Sequence, residues 1–64
     1  MNADGTPTIG SKVQWWEQGR DGAFRRVGTL REYMTRANLR VGVIWTNPNG
    51  GAMEIDASRL QVAK

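Results

Sequence analysis

Leu39-Arg40-Val41-Gly42-Val43-Ile44-Trp45-Thr46 is the stretch on which the fold turns. Positions 39, 41, 43 and 45 are all apolar, which is the period-two signature of a half-buried β-strand. Read with that period, the four odd residues point into a core, and Arg40, Gly42, Ile44 and Thr46 point outward. Downstream, Asn47-Pro48-Asn49-Gly50-Gly51 is the strongest turn signal in the chain, because proline presets one backbone angle while asparagine and glycine accept positive φ. A short strand over 52–55 follows. Asp56-Ala57-Ser58 then reads as a capped single turn before a last short strand over 60–62.

Upstream, residues 33–38 are polar and without apolar period, so they form the tip of a long hairpin. The strand before that tip spans 24–33. Its phase is broken, since Val27 and Leu30 are three apart and a regular strand sends them to opposite faces. Either a bulge at Gly28 reconciles them or Val27 is exposed, and Leu30 is the residue assigned inward. Two glycines and an aspartate make 18–22 a loop. Residues 12–17 alternate, with Val13 and Trp15 inward and Gln14 and Trp16 outward. Residues 1–8 have almost nothing to bury and read as a flexible leader. The domain then covers 9–64.

Five short strands and no long helix imply an all-β fold, and in about 55 residues they curl best as one bent sheet into a small, partly open barrel. The inward set is Ile9, Val13, Trp15, Leu30, Val41, Val43, Trp45, Met53, Ile55, Leu60 and Val62. The order of signals resembles the SH3-like small barrels, a group that includes KOW and Tudor modules. That resemblance is carried by Ile9-Gly10-Ser11-Lys12-Val13, Gly28-Thr29-Leu30, Val41-Gly42-Val43-Ile44-Trp45 and Ile55-Asp56-Ala57-Ser58-Arg59-Leu60. It implies a five-stranded barrel with a short 3-10 turn before the last strand. Among its functional branches, KOW-like and chromatin-type barrels bind nucleic acid or nucleoprotein. A photosystem I stromal subunit, with a similar Gly-Ser-Lys-Val opening, helps dock an acidic electron carrier. The plasmid-type dihydrofolate reductases are tetrameric barrels, but their Val-Gln-Ile-Tyr strand is replaced here by Met53-Glu54-Ile55-Asp56, so no catalytic residue carries across.

Sixty-four residues allow a single small domain. Neither cysteine nor histidine is present. A disulfide framework, a thiolate metal site, the usual zinc ligand and the usual general base are thereby excluded. Ser11, Ser58 or a threonine would have to act as nucleophile, with no plausible base nearby. Glu54 and Asp56 are too few to hold a metal, and Gly19, Gly22 and Gly28 precede no helix that would cradle a phosphate. The expectation is a binding module with no enzymatic activity, cofactor or metal. No apolar run approaches a membrane span or a signal-peptide core, so the chain is expected in the cytoplasm.

Nine basic residues face six acidic ones, for a formal charge of +3, and seven of the nine are arginines. Arginine offers a flat fork suited to phosphate and carboxylate, and it stacks on rings. Charge of this size also serves simply to keep a small domain in solution. The alternation nevertheless gathers Lys12, Trp16, Arg25, Arg31, Tyr33 and Arg40 on one exposed sheet face, with Arg36 at the hairpin tip. Flat rings among phosphate-binding cations are what nucleic-acid binders use. These seven residues are therefore the candidate nucleic-acid contacts, with DNA as the first partner to test. Arg25 and Arg26 have a competing role in pairing with Glu17 and Asp21 across the first hairpin. Trp16 and Ile44, exposed and apolar, are equally suited to an interface with an acidic protein or with a second copy of the chain.

Overall fold

In a computed structural model of the chain, residues 5–46 and 51–63 are described. They form one antiparallel sheet of five strands: β1 (Lys12–Gly19), β2 (Gly22–Arg36), β3 (Leu39–Trp45), β4 (Ala52–Asp56) and β5 (Gln61–Val62). A single 3-10 turn, Ala57–Arg59, separates the last two. The spatial order is β4-β3-β2-β1-β5, and the sheet is not closed. The fold is all-β, as the alternating pattern implies. The first four residues of the expected leader and residues 47–50 of the expected turn lie outside the described residues. Pro7, assigned from sequence to that leader, is buried, and its carbonyl accepts a 2.6 Å hydrogen bond from the Tyr33 hydroxyl.

The fifteen-residue β2 organises the sheet. Its first half pairs with β1 from Gly22 to Thr29, and its second half pairs with β3 from Thr29 to Arg36. Thr29 belongs to both ladders. A bulge follows immediately: Leu30 opposes Ile44 and Glu32 opposes Val43, which leaves Arg31 without a ladder partner. The bulge thus lies three residues beyond Gly28, and its extra residue brings Leu30 and Tyr33 to the same face. The hairpin tip is also tighter than expected. β2 runs on to Arg36, and only Ala37 and Asn38 turn the chain, with φ of 50° and 67°. These left-handed values are those of a two-residue hairpin turn whose twist matches its strands.

Val13, Trp15, Leu30, Ile44, Ile55 and Leu60 form the buried cluster, with Tyr33 and Met53 packed against it. Here the reading of β3 is corrected. Ile44 is 0% exposed and Trp45 48% exposed, so the even positions face the core and the odd ones face away. The reason lies in the glycines. A Cβ on Gly42 would come within 2.5 Å of Leu60 Cδ1 and 3.0 Å of Leu30 Cδ1, so those leucines fill the space that a side chain at 42 would need. Gly28 does the same for Ile44, whose Cγ2 lies 2.5 Å from the position of a Cβ there. From β3 the core cluster takes Ile44, packed beside the bare Gly42, while Leu39 and Trp45 are left outside. Val43 is accordingly half-buried, and Ile9, Leu39 and Val62 are exposed. Val41 is buried but stands outside the cluster.

Candidate functional site

With the faces reassigned, the outer surface of β1, β2 and β3 carries a different set of side chains. Cross-strand pairing places Trp16 beside Arg25, Gln14 beside Val27, and Lys12, Thr29 and Trp45 in one row across three strands. Lys12, Trp16, Arg25 and Arg31 lie on this face as expected. Trp45 joins them, although its place in an apolar period pointed to the core.

The centre of the face is a cleft of about 540 Å³ at the point where β2 changes partners. It is lined by Lys12, Val27, Gly28, Thr29, Arg31, Trp45 and Thr46. Because β1 begins at Lys12 and β3 ends at Trp45, both ladders run out at the Thr29 row and their outer surfaces diverge there. The unpaired Arg31 reaches over the indole of Trp45, with its guanidinium carbon 4.2 Å from the ring centroid. That contact combines ring stacking with cation–π attraction. Among the described residues, no carboxylate lines the cleft. Beyond it, Arg25 donates from Nε to Gln14 Oε1 at 2.7 Å, and Gln14 donates in turn to Gln61 at 3.2 Å, so the guanidinium is oriented by neutral partners. The backbone carbonyl of Trp16 accepts a 2.6 Å hydrogen bond from Arg59, and its ring is 52% exposed.

Four candidates fall elsewhere. Arg36 is on the outer side of the hairpin but is held by Glu54 through two hydrogen bonds of 2.9 and 3.0 Å. Tyr33 is half-buried on the core side, with the guanidinium of Arg40 stacked 4.3 Å from its ring centroid. Ile44, proposed as an exposed interface anchor, is fully buried. The seven basic and aromatic candidates therefore separate into an outer group of four, an ion-paired arginine and a Tyr33–Arg40 pair on the other face.

At the far end of β1 on the core side, Glu17 accepts from the Trp15 indole N–H at 3.0 Å and from Arg26 at 3.3 Å. The Trp15 hydrogen bond holds the Glu17 carboxyl below the ordinary glutamate range, with Arg26 contributing and partial desolvation opposing. The expected pairing of Arg26 with Glu17 is thus present, whereas Arg25 turns to Gln14. Asp56, whose carboxylate caps the 3-10 turn, is similarly lowered by the backbone N–H and hydroxyl that Ser58 donates to it. No grouping of three metal-ligating side chains occurs among the described residues, and no helix among them is long and apolar enough to cross a membrane.

Compared with protein-family models, curated proteins and solved structures, the chain finds no match. Its role is argued from its own residues.

Proposed function

We propose that this chain is a small nucleic-acid-binding module, built as an SH3-like barrel and without catalytic activity, whose ligand lies across the outer face of β1, β2 and β3. Support for the barrel comes from the bulge in the long shared strand and from the single 3-10 turn before the last strand. The observation that carries the functional reading is the cleft lined by Lys12 and by Arg31 stacked on the exposed ring of Trp45, with no carboxylate among the described lining residues. Cations there supply phosphate contacts, and the ring supplies a stacking platform. Arg25 and Trp16 extend the same chemistry along β1 and β2.

Salt dependence tests this directly. If Lys12, Arg25 and Arg31 each displace a counterion, the log-log slope of affinity against salt is about −2 to −3, and Arg31→Gln brings it closer to zero by about 1. Fluorescence anisotropy of labelled oligonucleotides across a salt series reads both. Binding indifferent to salt, or none at low salt, defeats the proposal.

Exposed Trp16, Val27, Trp45 and Leu39 favour a second reading, in which the same face docks an acidic protein or another copy of the chain. Sedimentation equilibrium separates the two, since self-association through these residues shields Trp16 and Trp45 from fluorescence quenchers and excludes nucleic acid.

A further inference from the structure

The cleft points to one form of nucleic acid over another. We infer that the ligand is single-stranded, and that one unpaired base stacks at Trp45 while its phosphate is held between Lys12 and Arg31. This rests on the nucleic-acid reading above and narrows it.

A base within a duplex has both flat faces covered by its neighbours, so a ring on a protein surface can stack only on a base that is unpaired or flipped out. Trp45 is such a ring: it is half exposed, and the Arg31 guanidinium stacked over one of its faces presents a flat cationic plane on which a base can stack in turn. The cleft's volume of about 540 Å³ falls within the roughly 300–1,000 Å³ typical of sites for small ligands. It therefore admits one nucleotide, whereas a duplex backbone would ride over it. Lys12 and Trp45 sit in one row separated by β2, which sets their backbones about 10 Å apart at the usual spacing between strands. That span is bridged by a nucleotide with its base at the tryptophan and its phosphate toward the lysine. Val27 offers apolar contact, and the hydroxyls of Thr29 and Thr46 can donate or accept and so suit any base edge. Sequence preference is accordingly weak. The strand continues past Val27 toward Arg25 and Trp16, which repeat the pairing of cation and ring at the other end of β1.

Three probes of equal length distinguish this from simple phosphate attraction: oligo-dT, an abasic oligomer with the same number of phosphates, and a duplex. They are titrated at low salt against the intact chain, Trp45→Ala, Trp45→Phe and Lys12→Gln, with circular dichroism confirming that each variant is folded. Oligo-dT is expected to bind at least tenfold more tightly than the abasic oligomer. Trp45→Ala is expected to weaken oligo-dT binding by about 5- to 150-fold, the range for loss of one stacked base, while leaving the abasic oligomer unchanged. Phenylalanine at 45 restores most of the loss, and Lys12→Gln weakens all three probes together. In a Trp16→Phe background, oligo-dT quenches the emission of Trp45. Equal affinity for all three probes, or an unchanged Trp45→Ala, overturns the single-strand inference and leaves phosphate binding standing. If none of the three binds at low salt, both fall.

Discussion

Ala37 and Asn38 make a two-residue reversal between β2 and β3, and the first of them is a poor residue for its position. A side chain at φ of 50° crowds its own backbone, and glycine or asparagine tolerates that region better than alanine. Ala37→Gly or Ala37→Asn is therefore expected to stabilise the fold by up to about 1 kcal/mol, read as a shift in the urea midpoint at constant slope. Glu17 and Asp56 make a prediction of their own. Both carboxyls are held below their ordinary values in the folded chain, so each contributes stability that is complete above the unfolded carboxylate range. It is lost as pH falls through the lower, folded value. Carbon-detected NMR titration should find both midpoints depressed. Glu17→Gln should flatten the acid limb of the stability profile, and Ser58→Ala, which removes the hydroxyl but keeps the larger backbone N–H contribution, should return Asp56 only part of the way toward the ordinary aspartate value.

At the level of elements, the two inward glycines make different demands. For Gly42 the obstructing atoms are the ends of Leu60 and Leu30, which can turn aside, whereas Gly28 meets the Trp45 carbonyl oxygen at 2.6 Å as well as Ile44. Gly28→Ala should thus destabilise at or above the upper end of the roughly 1–3 kcal/mol typical of overpacking, and Gly42→Ala nearer its lower end. Paired denaturation curves check the ranking. The same glycines explain what could be read in advance. Five strands, both long hairpins, the capped turn and the inward pair Val13 and Trp15 were legible, because alternation and turn chemistry are local. The facing of β3 was not. Its large apolar residues alternate cleanly on the side away from the core, and only the leucines that arrive from β2 and from beyond the 3-10 turn decide that position 42 must be bare. The outward placement of Lys12, Trp16 and Arg25 follows from the phase of β1 and the first half of β2, and Arg31 reaches the same face at the bulge. Trp45 was lost to the reversed face. The bulge at Arg31 then carried Tyr33 to the other side, with Arg40 stacked against it.

For the molecule as a whole, one cluster of six buried residues, drawn from β1 to β4 and from Leu60 just before β5, holds the sheet together. A chain of this length has a total stability of roughly 3–10 kcal/mol, and Leu→Ala at a fully buried site removes about 2–5 kcal/mol. Leu30→Ala is therefore expected to leave a large unfolded fraction at 25 °C, visible as loss of dispersion in the amide spectrum. The seam at Thr29, where one ladder hands over to the next, has a mechanical meaning too. A guest lodged in the groove beside it leans on the opening residue of β1 and the closing residue of β3 at once, like a wedge driven into a joint. Occupancy should stiffen the two wings of the sheet together, so that amide exchange slows in strands the guest never touches.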